Sequence, residues 1–158
     1  MGTTISKFEH VIEANSKFTV DLHKPLRNEE QFVSQNLFYS PSILSIALAM
    51  TSMGARGNTA EQMAKALHWE ARPQDQLHTE ERHFLKALQA SNTAGNELLA
   101  ANRLFVQTNF SLVQEFVKGT KKFYDAEKSL VNYQKDAEGA RKEVNGWVEE
   151  KTQQKIKN

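Results

Sequence analysis

Two glycines three residues apart, Gly54 and Gly57 in "GARGNT", stand beside a helix start, where backbone amides can converge on a phosphate. A phosphate cradle of the P-loop type needs G-x-x-x-x-G-K-[ST], and the lysine is absent. The dinucleotide pattern G-x-G-x-x-G is absent as well, so the stretch reads as a tight interhelical turn. The histidines are His10, His23, His68, His78 and His83. His78 and His83 are five apart and fall on different helix faces, and no H-E-x-x-H occurs, so they read as surface histidines without a metal. Glu80-Glu81 and Glu149-Glu150 fall in charged helical faces, whereas a general acid/base pair would need a cleft. The serines of "YSPSILS" are not in a G-x-S-x-G elbow and are expected to cap or back-bond a helix. With no cysteine, a thiol nucleophile, a disulfide framework and a thiolate zinc site are excluded. Lys118, Lys121 and Lys122 share one helical face, with Lys128 nearby; they could hold a polyanion or simply form a solvated face. No catalytic residue, cofactor or metal is expected.

Composition narrows the class. At 158 residues, 39% hydrophobic and 25% charged, the chain suits one domain with a real core. Twenty basic residues against nineteen acidic ones give no global signal for nucleic acid or membrane. The N-terminus lacks the basic and apolar regions of a secretory signal, which favours a cytoplasmic protein; an extracellular one would need a signal already removed. Met1-Gly2 with Ser6 matches a myristoylation pattern loosely, and Asn109-Phe110-Ser111 is a glycosylation sequon that matters only in a secreted protein.

The elements follow from periodicity. Ile5, Phe8, Ile12, Asn15, Thr19 and Leu22 form one stripe, with Val11 and Phe18 beside it, predicting a helix over about 4–24 that ends at Pro25. Asn36 to Tyr39 reads as a short buried strand. Ser40-Pro41 is a helix start, with a hydroxyl cap and proline at the first position. From Ile43 to Met53 the only polar residues are Ser45, Thr51 and Ser52. A helix apolar all round should be buried all round, and it is too short for a bilayer, which needs about 20 apolar residues. Gly54 stands where a left-handed cap is wanted, and Asn58 with Glu61 reads as a capping box. Leu77, Glu81, Phe84, Leu85 and Leu88 predict a helix ending by Ala90. Leu98 to Val106 is apolar on both faces, as in an inner strand of a covered sheet. A helix through Leu112, Phe116, Val117 and Tyr124 follows, then a strand in "KSLVNYQ". The last helix, over about 136–155, is capped by Asp136 and carries Ala140, Val144, Trp147, Val148 and Lys151 on one face, with a charged face opposite.

These residues alone give a mixed α and β domain. The order of residues in "NLFYSPSILSIALAMTSMGARGNTAEQMAKAL", however, closely resembles the serpin family, with its N-[IV]-[FL]-x-S-P-x-S-I…A-x-A-M-x-x-x-G-[AT]-[KR]-G-x-T-x-x-Q-[ML] pattern. Three more blocks follow in family order: "LLAANRLFVQ", "FVKGTKKFYDAEKSLVNYQ" and "ARKEVNGWVEEKTQQKI". The chain looks most like the intracellular, ovalbumin-like branch.

The resemblance implies an α+β serpin fold, N-terminal part only: helices A to F, one strand of sheet B at Asn36 to Ser40, and strands two and one of sheet A at Leu98 to Gln107 and Lys128 to Gln134. It implies a suicide-type protease inhibitor. A target serine or cysteine protease attacks a reactive loop, and the loop inserts into sheet A and distorts the acylated protease. That loop would lie beyond Asn158, so the reactive-loop residues are absent and a C-terminal serpin chain or segment is the expected partner. Ser40 and Pro41 would belong to the shutter and helix B; Asn145, Trp147, Thr152 and Lys155 would belong to helix F. A non-inhibitory serpin, acting in carriage, storage or as a chaperone, is the alternative. Two departures matter: Ile43 replaces the second shutter serine, with Ser42 and Ser45 beside it, and Gln154 stands where many members have glycine, so helix F is expected to end differently.

Overall fold

In the computed structural model, residues 8–69, 72–93 and 97–157 are described, apart from the Gln31 side chain. The myristoylation pattern and the first residues of the predicted N-terminal helix lie outside them. The chain divides into two compact units, Met1–Phe84 and Leu85–Asn158.

In the first unit, α1 (Glu9–Asn28) runs past Pro25 and ends one turn later at Glu29, which is extended. Proline removes one ladder donor but does not stop a helix that is about to end. The buried face is Val11, Ala14 and Phe18, and Ile12 of the predicted stripe is exposed. A 3₁₀ turn, Glu30–Phe32, follows. The strand expected at Asn36 to Tyr39 does not form: these residues join no ladder and Phe38 is 100% exposed. A strand exists only against a partner, and none lies alongside among the described residues.

Helix α2 (Pro41–Ser52) starts as its sequence demands, with Pro41 in the first turn and the Ser40 hydroxyl accepting from the Ile43 amide at 3.4 Å. Its hydroxyls turn inward: Ser45 donates to the Ser42 carbonyl at 3.0 Å and Ser52 to the Ala49 carbonyl at 2.7 Å. Ser45, Ile46, Ala49 and Met50 are buried, and α1 packs against the helix. Leu44 and Leu48 are exposed, contrary to the expectation of burial all round. Among the described residues α1 and α3 (Gly57–Ala66) are the main neighbours of α2, which covers one side of an apolar cylinder. The left-handed glycine is Gly57 (φ 55°) rather than Gly54, and it carries the chain into α3 with no side-chain cap, so the Asn58 capping box is not made. Helix α4 (Gln74–Ala90) closes this unit and leads into the next.

The second unit is built on a βαβ crossover. Strand β1 (Arg103–Gln107) pairs in parallel with β2 (Glu127–Val131), Arg103 opposite Glu127 and Gln107 opposite Val131. Parallel neighbours need a crossover, here α5 (Gln114–Tyr124), whose Thr120 and Tyr124 are buried. Both strands are shorter than their sequence patterns because the ladder exists only where the two run in register. The Gln107 side chain finishes it, accepting from the Tyr133 amide at 2.9 Å. Asn132 then turns the chain, its carboxamide oxygen accepting from the Lys135 amide at 3.0 Å. Helix α6 (Ala137–Lys151) begins at the predicted cap: the Asp136 carboxylate accepts from the Gly139 amide at 2.8 Å. It packs against β2 and ends four residues before the predicted Lys155.

Candidate functional site

In the second unit, α6 is pinned to β1 by Trp147. Its ring meets Phe105 edge to face, centroids 5.7 Å apart. Arg103, at the start of the same strand, lays its guanidinium 5.3 Å from the Trp147 ring centre and 6.0 Å from that of Phe105. Arg103 and Phe105 share a face because alternate residues of a strand do. The cation therefore sits over two electron-rich ring faces, an attraction that grows as water is excluded. Trp147 Nε1 is buried and has no hydrogen-bond partner. Beside this contact lies a cleft of about 320 Å³, lined among others by Asn102, Arg103, Lys121, Tyr124, Glu127 and Trp147.

Of the expected helix F residues, the structure places Asn145 and Trp147 half-buried on α6 and Thr152 at its C-cap, where its hydroxyl donates to the Val148 carbonyl at 2.8 Å. Lys155 lies beyond the helix and pairs with Glu97 at 2.7 Å. The helix ends in a Schellman arrangement: the Gln154 amide donates to the Glu149 carbonyl at 2.8 Å and the Gln153 amide to that of Glu150 at 3.2 Å. Gln153 and Gln154 both have left-handed φ, 50° and 61°, where glycine is favoured. The ending expected to differ for want of a glycine is reached by glutamines in a strained conformation.

The lysine face is not uniform. Lys121 is held between Asp125 at 3.0 Å and Glu127 at 2.9 Å. Hydrogen bonds to those carboxylates raise its pKa, and the bond from Lys121 lowers that of Glu127. Lys122 lies 4.6 Å from the ring centre of Phe123, and Lys118 is exposed.

In the first unit, Ser40 and Pro41 do what their types require at a helix start. The polar link the sequence did not assign is Asn15 to Ser42: the carboxamide of Asn15 on α1 donates to the Ser42 hydroxyl on α2 at 2.9 Å. The available signal was an asparagine inside a mostly apolar stripe. Two further expectations are corrected. Glu81 is not on a charged face but 1% exposed, and His78 is not a surface histidine but buried, edge-on to Trp69 at 5.6 Å. Burial, with Glu80 adding to it, pushes the Glu81 carboxyl up to about 8. Burial pulls His78 down to about 4, against the influence of Asp75. Arg72 pairs with Glu80 at 2.8 Å and also contacts His10. Among the described residues no helix is long and apolar enough to cross a membrane.

The family model described as Serpin (serine protease inhibitor) matches residues 13–158. A leukocyte elastase inhibitor of Xenopus tropicalis is 37% identical over 94% of this chain and 38% of its own length. Human Serpin B8 is 39% identical over 94% of the chain and 38% of its own, and human Serpin B3 is 35% identical over 92% and 40%. The chain thus spans about two fifths of the length of the curated relatives it matches. With the family model covering nearly the whole chain and ovalbumin-type members among its relatives, this chain belongs to the serpin family.

Proposed function

We propose that residues 1–158 are the N-terminal portion of a single serpin domain and supply the frame of a suicide-type protease inhibitor. The observation that carries this reading is α6 lying on the β1–β2 pair through Trp147 and Phe105. On this reading β1 and β2 are strands two and one of sheet A with α6 lying across them, and the strands that part to admit the loop belong to the remainder of the domain. Each added strand extends a ladder and buries apolar side chains, which supplies the driving force. The exposed side of α2, with Leu44 and Leu48, is where the rest of such a domain would pack. On this reading Ser40, Pro41 and the Asn15–Ser42 link belong to the shutter, and Asn145, Trp147, Thr152 and Lys155 belong to the crossing helix. The partners are a serine or cysteine protease and the C-terminal remainder of the serpin, and the setting is cytoplasmic.

The test is to mix the complete protein with a panel of serine and cysteine proteases. The expected product is a covalent complex that survives SDS, formed when the protease acylates on the reactive loop and cannot deacylate. Cleavage of the loop across the panel with no such complex overturns the inhibitor reading and favours carriage, storage or a chaperone role.

A further inference from the structure

We infer that the C-terminal end of α6 is a salt-releasable latch, in which the Glu97 carboxylate grips Gln153 and Lys155 and holds down a helix end that is strained in itself. Each oxygen of this carboxylate has its own donor: Gln153 Nε2 to Oε1 at 2.7 Å and Lys155 Nζ to Oε2 at 2.7 Å. The two donors lie two residues apart on the chain leaving α6, whereas Glu97 lies on the segment leading to β1. The grip therefore joins the end of the crossing helix to the approach of the strand it crosses. The Lys155 bond, then the Gln153 bond, lowers the pKa of Glu97 and keeps it charged at neutral pH.

What the latch restrains is not at rest. Gln153 and Gln154 are consecutive left-handed residues with side chains, and the Cβ of each crowds the following carbonyl. About one turn and a half earlier, the indole N–H of Trp147 is buried without an acceptor, so local opening would return it to water. Strain and an unsatisfied donor both favour release. Opposing them is an exposed ion pair, with Glu97 36% and Lys155 60% exposed. Exposed pairs are weak and screened by salt. The nearby Glu150 is engaged with Lys151 at 2.8 Å and does not replace Glu97. The other end of α6 is fixed independently by the Asp136 cap. The helix should therefore loosen from its C-terminal end first, and ionic strength or a competing basic partner at Glu97 should set how often.

Amide hydrogen exchange on the full chain tests this. Raising salt from about 0.05 M to about 1 M shortens the Debye length to roughly 3 Å and should speed exchange at Thr152, Gln153 and Gln154 about two- to fivefold. Glu97→Gln should give the faster rate at low salt and abolish the salt response. Gln154→Gly, which relieves the strain at that one residue and leaves the grip, should slow exchange at the same amides. Gly139 and Ala140, near the Asp136 cap, serve as the internal reference. Unchanged rates in Glu97→Gln overturn the latch. So does equal acceleration at Gly139 and Ala140, which would mean global destabilisation.

Discussion

The guanidinium of Arg103 lies 5.3 Å from the ring centre of Trp147, joining the first residue of β1 to the C-terminal half of α6. The same side chain reaches Glu127 at only 3.5 Å, a marginal pair. Its main contribution is therefore to the aromatic stack. Arg103→Met, which keeps the stem and removes the charge, should cost about 0.5–1 kcal/mol in denaturant unfolding. Trp147→Phe should be close to neutral, since the Phe105 contact survives and the orphan N–H goes. Trp147→Ala should cost about 3 kcal/mol. A Trp147→Phe loss as large as that of Trp147→Ala would show that the indole has a partner.

Stability of the first unit should depend on pH through two buried groups with opposite signs. Glu81 has a folded pKa of about 8, above its ordinary 4.5, so its contribution is full below pH 4.5 and is lost as pH rises through 8. His78 has a folded pKa of about 4, below its ordinary 6.5, so its contribution is full above pH 6.5 and is lost as pH falls through 4. Between 4.5 and 6.5 the folded state carries the Glu81 proton and the unfolded state the His78 proton, and the two slopes cancel. From about pH 6.5 to 8 only the Glu81 slope remains, a loss of about 2 kcal/mol. Glu81→Gln should flatten that limb; an unchanged limb, read from unfolding curves at several pH values, would assign it to another group.

At the start of α6 the Asp136 carboxylate fills the space a Gly139 side chain would take, and a Cβ there would collide with it. Asp136→Ala should cost about 1 kcal/mol as a lost cap. Gly139→Ala should destabilise by displacing that cap. In an Asp136→Ala background, however, Gly139→Ala should stabilise by about 0.5–1 kcal/mol, because alanine is the better helix former. A double-mutant cycle with no coupling would show that the cap tolerates the methyl group.

Among the lysines, Lys121 is engaged by two carboxylates and Lys118 and Lys122 are not ion-paired in the same way. If this face holds a polyanion, Lys118→Ala with Lys122→Ala should shorten salt-dependent retention on heparin, and Lys121→Ala should leave it nearly unchanged. Retention that depends most on Lys121 would mean that the polyanion displaces Asp125 and Glu127.

Ser40-Pro41 and Asp136 were legible as helix starts because a cap is a local bargain between one side chain and the next turn's amides. The helix over Gln74–Ala90 was legible to its last residue for a similar reason, its 3.6-residue apolar period. The Leu77–Glu81–Leu85 spacing put the carboxylate on the inner face, but composition argued for a charged face, and composition was the wrong guide. The strand at Asn36 to Tyr39 failed for the opposite reason: its apolar residues are real, but a ladder needs a neighbour.

By itself the sequence determined where α2 and α6 begin, which blocks follow in serpin order, and that no thiol chemistry is present. These are properties of residues within a turn or two of each other, or of a pattern read along the line. The tertiary structure alone decided that Arg103 meets Trp147, that Asn15 reaches Ser42, that Lys121 is ion-paired with Glu127, and that Glu97 holds the end of α6. Most of these join residues far apart in the chain, and their energy depends on distance and burial, neither of which sequence spacing encodes.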